Sequence, residues 1–254
     1  MDVSEDLIEI LSSENKLIEL NTNIRTIFVG DTHGDIETTM KVIKNYPLEH
    51  NRLVFLGDYV DRGNESKENI DYLLGLKLRY KDRILLLMGN HEAYPVIECS
   101  PSNFWDSLMF DEVKEYSELL LKLPLVVSIG NVLAVHGALP DVNNLEEINN
   151  IQISYNDTLL NFLWGDFVEK DGEYLGTDHL NRPQFGRGYF EKLIGKFNKK
   201  VLVRGHDPKA NLMMFNNRCL TIFTSRYYGV EKKVAILEKN KNPQTTDDLR
   251  IESL

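Results

Sequence analysis

Three apolar runs in the N-terminal half of the chain each end in a glycine followed by a side chain able to hold a metal. Thr26-Ile27-Phe28-Val29 leads into Gly30-Asp31-Thr32-His33-Gly34. Leu53-Val54-Phe55-Leu56 leads into Gly57-Asp58-Tyr59-Val60-Asp61-Arg62-Gly63, and Ile84-Leu85-Leu86-Leu87-Met88 into Gly89-Asn90-His91-Glu92. Short, fully apolar runs bounded by glycine read as buried strands. Asp31, Asp58 and Asn90 stand 27 and 32 residues apart, about one strand–helix–strand unit each time. Open α/β sheets place their chemistry at the carboxyl ends of strands, so three strand tips are expected to meet. One Gly-Asp after a strand is ordinarily a turn. Here, however, four of the 6 histidines (His33, His91, His136 and His206) fall in motifs at strand ends. The other two, His50 and His179, receive no role.

Carboxylate and imidazole suit zinc, iron and manganese. Asp31, His33 and Asp58 are therefore expected to hold one metal ion. Taken together and in order, Gly-Asp-x-His-Gly, Gly-Asp-Tyr-Val-Asp-Arg-Gly and Gly-Asn-His-Glu resemble the signature of the phosphoprotein phosphatase family. Its members are serine/threonine phosphatases of the calcineurin-like metallophosphoesterase superfamily. The resemblance runs from about Leu7 to Leu237. It implies an α/β fold (α+β in some schemes): a β-sandwich with flanking helices around a βαβαβ core that carries the metals. It also implies two divalent ions, manganese first with iron and zinc as alternatives. Asp58 would bridge them, and Asn90, His136 and His206 would complete the second site. Two such ions, about 3.5–4 Å apart, lower the pKa of a shared water from about 15.7 toward about 7. The resulting hydroxide would attack phosphorus directly, with no covalent phosphoenzyme.

His91, next to Asn90, is the expected general acid, with Asp61 as the partner that orients it. Arg62 and Arg187 are the expected phosphate clamps, because guanidinium binds phosphate oxygens bidentately. By resemblance, Asp166 in Trp164-Gly165-Asp166 and Tyr227 in the loop Ser225 to Gly229 are further phosphate contacts. The chain departs from the family pattern in that loop, which lacks Ala-Pro-Asn. It departs again at Ala138, where many members have glycine, and at Met88, where arginine is common. None of these departures removes a ligand.

A net charge of −10 argues against general binding to nucleic acid or anionic membrane. It also means that metals and arginines must make a phosphate site locally positive. The expected partner is a phosphorylated protein substrate. Two cysteines without CxxC spacing fit a reducing, cytoplasmic setting. No apolar run reaches the length of a membrane span, and the acidic start is unlike a secretory signal.

Residues 1–238 are expected to form a single catalytic domain, within the usual size range of one domain, and the polar segment 239–254 a mobile tail. Ser4 is the expected cap of a first helix and Ser66 of a later one. Leu125-Val126-Val127 and Val132-Leu133-Ala134-Val135 read as a hairpin ending at His136. Lys170 to Phe185 reads as a loop near the site. Cys219 to Phe223 and Val234 to Leu237 read as late antiparallel strands. Two other functions fit the same ligands: hydrolysis of dinucleoside polyphosphates, and a catalytically inactive phosphoprotein scaffold. The second predicts broken ligands, and none of the six is broken.

Overall fold

The three glycine-terminated runs become parallel neighbours. In the computed structural model, which describes residues 5–254, β2 (Thr26–Val29), β3 (Arg52–Phe55) and β4 (Ile84–Leu86) lie side by side. The crossovers are α2 (Ile36–Asn45) and α3 (Ser66–Tyr80). β13 (Lys233–Leu237) pairs antiparallel with β2, and β14 (Arg250–Ser253) antiparallel with β13, giving the order β14-β13-β2-β3-β4. A second sheet runs β1 (Leu17–Leu20), β5 (Val126–Ile129), β6 (Val132–Ala134), β10 (Val201–Arg204), β12 (Cys219–Thr221), β11 (Met213–Met214). A small third sheet holds β7 (Asp166–Phe167), β9 (Pro183–Phe185) and β8 (Tyr174–Thr177).

Alternation along each strand divides the core in two. Phe28, Val54, Leu85 and Ala235 of one sheet meet Val127, Val132, Val203 and Leu220 of the other, which makes the interior of a sandwich. The opposite faces pack under helices. Ile27, Leu53 and Phe55 belong to the same core as Val42 of α2, Ile70 and Leu73 of α3, and Leu7 and Leu11 of α1 (Glu5–Ser13). That core also takes Leu133 and Leu202, with Leu159 and Phe162 of α6 (Asp157–Trp164) and Phe190 and Leu193 of α7 (Arg187–Lys196). Each such side chain contributes about 1.5–3 kcal/mol on full burial. The expected α/β sandwich with outer helices is the fold found.

The β5–β6 hairpin forms across Gly130, whose φ of +55 fits a tight turn, and β6 points at His136. Elsewhere the structure differs from expectation. The expected cap Ser4 lies outside the described residues. Ser66 is inside α3 rather than capping it, and its hydroxyl donates to the Gly63 carbonyl. Segment 170–185 is no plain loop but carries β8 and β9. β12 and β13 do not pair with each other: one joins β10 and the other β2. The polar segment 239–254 returns to the fold. Thr246 and Leu249 are buried, β14 extends the first sheet, and Tyr46 Oη donates to Glu252. An edge strand is held by backbone hydrogen bonds with one face open to water, so it needs little apolar content.

Candidate active site

At the tips of β3 and β4 the backbones touch. A Cβ on Gly89 would sit 2.3 Å from Asp58 Oδ1 and 2.4 Å from Asp58 N. Gly57, at φ +106, allows the chain to turn there, and Asp58, Asp61 and Arg62 then take φ of 55, 63 and 66. Left-handed conformations at non-glycine residues cost about 1–3 kcal/mol each and persist only where surroundings over-determine them. Glu92 does much of this. Its fully buried carboxylate accepts the N–H groups of Asp58 (2.7 Å) and Gly89 (2.9 Å) on one oxygen and of Tyr59 (2.8 Å) on the other. The Asp58 carbonyl in turn accepts from Thr32 (3.1 Å) and His33 (2.9 Å) on the β2 tip.

All six expected ligands converge. His33 Nε2 is 3.9 Å from Asp31 Oδ2 and 3.6 Å from Asp58 Oδ2. His136 Nε2 is 3.4 Å from Asp58 Oδ1, 3.0 Å from Asn90 Oδ1 and 3.1 Å from His206 Nδ1. The tautomers follow from the carbonyls behind. His33 Nδ1 lies 2.9 Å from Val60 O and His136 Nδ1 2.9 Å from Leu56 O, so each carries its proton there. Both Nε2 lone pairs then face the centre, the usual arrangement of a metal-ligating histidine.

Burial pushes Asp31 and Asp58 up to about 7, His136 down to about 4, and His33 and His206 well below their ordinary range. Neutral imidazoles and buried carboxylates, all offering lone pairs to one small space, repel one another unless a cation sits among them. Two groups here, His33 with Asp58 and His91, and Asp58 with His136 and His206, have ligand atoms close enough to share an ion. Asp58 belongs to both groups, and this set of oxygen and nitrogen donors would suit two divalent ions.

His91 stands beside this centre. Its Nδ1 is 2.6 Å from Asp61 Oδ2, and its Nε2 is 4.0 Å from Asp58 Oδ2. Asp61 Oδ1 accepts the Phe104 N–H at 2.7 Å, the His91 carbonyl accepts the indole N–H of Trp105 at 2.9 Å, and Asn103 accepts the Arg62 N–H at 2.7 Å. These partners sit on α4 (Asn103–Ser107), just before α5 (Phe110–Leu120). Burial raises Asp61 to about 7 and lowers His91 well below its ordinary range, with the Arg62 charge as the next cause for the histidine. A separation of 2.6 Å requires one proton between the two atoms.

His33, Asp58, Asn90, His91 and His206 open on a cleft of about 580 Å³, walled by Arg62, Arg182, Cys99, Trp164, Leu180, Lys209 and Tyr228. Three of the expected phosphate contacts, Arg187, Tyr227 and Asp166, do not line it. Arg187 pairs with Glu169 and Asp171 and lies over the Phe215 ring; the arginine that joins Arg62 on the cleft wall is Arg182, paired with Asp178 (3.2 Å) and Asp166 (3.4 Å). Tyr227 also stays out, and the neighbouring Tyr228 faces in. Its ring meets His33 edge-on at 6.1 Å, with the Arg62 guanidinium 5.2 Å away. Asp166 is buried behind the wall, where it accepts from Arg204 at 2.9 Å and steadies Arg182. Sequence reasoning missed Arg182, Tyr228, Cys99 and the clamp made by Glu92. Only Glu92 carried a signal, lying inside the Gly-Asn-His-Glu motif.

Comparison with known proteins bears on the same residues. A family model described as calcineurin-like phosphoesterase matches residues 24–210. The chain is 30% identical over 241 residues to the serine/threonine-protein phosphatase 4 catalytic subunit of Kluyveromyces lactis, across 87% of this chain and 74% of that protein. Among solved structures, a serine/threonine phosphatase from Saccharomyces cerevisiae aligns with a TM-score of 0.78 at 20% identity, covering 99% of this chain and 87% of that one. A cold-active protein-tyrosine phosphatase of a psychrophilic Shewanella aligns with a TM-score of 0.65 at 20% identity, covering 97% and 84%.

Proposed function

The chain belongs to the calcineurin-like phosphoesterase family, in its serine/threonine phosphoprotein phosphatase branch, and we propose that it removes phosphate from phosphoserine and phosphothreonine in proteins with two manganese ions. One observation carries the reading: a single open cleft is lined by His33, Asp58, Asn90, His91 and His206 together with two arginines, Arg62 and Arg182, and Asp61 is bonded to His91 from behind. Asp31, His33 and Asp58 would hold one ion, and Asp58, Asn90, His136 and His206 the other. When bound, the ions would polarise the phosphoryl oxygens and supply a nucleophilic water at neutral pH.

The chain's own residues do the rest. Arg62 and Arg182 bind the phosphate oxygens, which brings positive charge to a protein of net charge −10. His91 gives its Nε2 proton to the serine or threonine oxygen as the P–O bond breaks, while Asp61 stabilises the charged ring through Nδ1. Tyr228 closes one side of the phosphate pocket over His33. Among the described residues no helix is long and apolar enough to cross a membrane, and two free cysteines fit a cytoplasmic setting.

The test is a hydrolysis panel on metal-stripped protein with and without added Mn²⁺, using a phosphothreonine peptide, a phosphotyrosine peptide and a dinucleoside tetraphosphate. The proposal expects Mn²⁺-dependent turnover fastest on phosphothreonine. Fastest release of nucleoside diphosphate would move the function to nucleotide hydrolysis with the same ligands. No turnover of any substrate with both ions bound would overturn the proposal and leave a phosphoprotein-binding scaffold as the reading to pursue.

A further inference from the structure

We propose that Asp61, His91 and Cys99 form a third, inhibitory metal site, which takes a thiophilic divalent cation such as Zn²⁺ or Cd²⁺ on the acid side of the cleft. Cys99 Sγ lies 3.4 Å from His91 Nδ1 and 3.9 Å from Asp61 Oδ2, and the ligand atoms of all three residues fall within 4.8 Å of one another. A tetrahedral zinc with ordinary bond lengths needs separations of about 3.5 Å for sulfur to nitrogen, 3.6 Å for sulfur to oxygen and 3.3 Å for nitrogen to oxygen. The first two are nearly met. The third, 2.6 Å in the hydrogen-bonded pair, opens when the shared proton is replaced by the ion. Cys99 and His91 both line the cleft, so the ion has an entry path.

This site differs from the dinuclear centre in two respects. It uses Nδ1 of His91, whereas Nε2 is the nitrogen that faces Asp58. It also contains a thiolate, where the six ligands of the dinuclear centre offer only oxygen and nitrogen. Soft sulfur selects zinc and cadmium over manganese, which stands at the weak end of the divalent series. The proton balance closes: the thiol proton and the proton between Nδ1 and Asp61 leave to solvent. The ion gains a thiolate, an imidazole lone pair and a carboxylate oxygen, and its fourth position faces the cleft. The inhibitory consequence rests on the phosphatase reading, because a His91 tied to a metal at Nδ1 can no longer become the charged acid that protonates the leaving oxygen.

The experiment uses the full chain loaded with Mn²⁺, beside Cys99→Ser and Cys219→Ser. Cd²⁺ titration is followed by the sulfur-to-metal charge-transfer band, and Zn²⁺ inhibition by phosphothreonine-peptide turnover relative to each protein's own zinc-free rate. The site predicts a third bound cation with a thiolate band in the wild type, retained in Cys219→Ser, whose thiol in the wild type is fully buried, and lost in Cys99→Ser. It also predicts a Zn²⁺ inhibition midpoint at least about tenfold higher in Cys99→Ser, the low end of what loss of a supporting metal partner costs. No thiolate band in the wild type, a band that survives Cys99→Ser, or equal inhibition midpoints would overturn it. Cd²⁺ binding is read without turnover, so absence of phosphatase activity would sink the functional reading and leave the site itself under test.

Discussion

Asp61→Asn separates the role of the His91 pair from that of the metals. The structure dictates how asparagine would sit. The Phe104 N–H donates to Oδ1 at 2.7 Å, so the amide oxygen stays at that position and the NH₂ replaces Oδ2. Opposite His91 Nδ1, 2.6 Å away in the native protein, a donor now stands where an acceptor was. His91 must turn Nδ1 into an acceptor and carry its only proton on Nε2, as a neutral ring that is a poor acid. A buried hydrogen bond to a charged group contributes about 1.5–3 kcal/mol, which at about 1.4 kcal/mol per factor of ten is a loss of roughly 10- to 150-fold in kcat. Full loss of general-acid help extends this to about 10²–10⁴-fold. The assay compares a phosphothreonine peptide with p-nitrophenyl phosphate, whose leaving group departs without a proton. The peptide rate should fall about 10²-fold and the nitrophenyl rate by no more than a few-fold, with bound metal unchanged. Equal losses on both substrates, or an unchanged peptide rate, would refute the assignment.

The other expectations concern the wall, the floor and the charge of the site. Arg182→Ala should lower kcat/KM on the phosphothreonine peptide by about 10- to 150-fold through loss of a charge-assisted contact, whereas Arg187→Ala should change it less than about threefold, as for an exposed ion pair. Gly89→Ala would drive a methyl group into Asp58 and should lower Tm and abolish tight Mn²⁺ binding together, read by thermal unfolding and isothermal titration. In metal-free protein, Asp31, Asp58 and Asp61 are raised to about 7 and Glu92 to about 8. Carboxyls raised in this way favour the folded state at low pH and lose that contribution as pH climbs through those values. The lowered histidines act in the opposite sense, but only below their ordinary pKa of about 6.5. Metal-free Tm should therefore fall between about pH 6.5 and 8.5, and Mn²⁺ should restore it with a gain that grows with pH.

How much of this was readable in the sequence follows from what each residue's position depends on. Asp31, His33, Asp58 and Asn90 could be found because strand tips and glycine are local signals, and parallel neighbours bring their tips to one edge. His136 and His206 each follow an apolar strand run, but their place among the ligands came from the family resemblance. Arg182 and Arg187 are only five apart, and nothing local ranks them. The choice is made by Asp166 and Asp178 holding one, and Glu169 and Asp171 holding the other, pairs that exist only after folding. Tyr227 and Tyr228 are adjacent, so a small change in loop path decides which one reaches His33. β12 and β13 have the same apolar pattern yet lie in different sheets, because alternation marks a strand without naming its partner. The segment 239–254 read as a tail because composition records apolar content, whereas β14 is held by backbone pairing along one edge.

The account turns on two metal ions at the convergence of Asp31, His33, Asp58, Asn90, His136 and His206. The most direct measurement titrates metal-stripped protein with Mn²⁺ while following phosphate release from a phosphothreonine peptide. Release should be negligible without metal and should reach its plateau only when the second ion has bound. Asn90→Ala should bind the first ion and stay largely inactive. Full turnover in excess chelator, or a plateau with a single ion bound, would contradict the account.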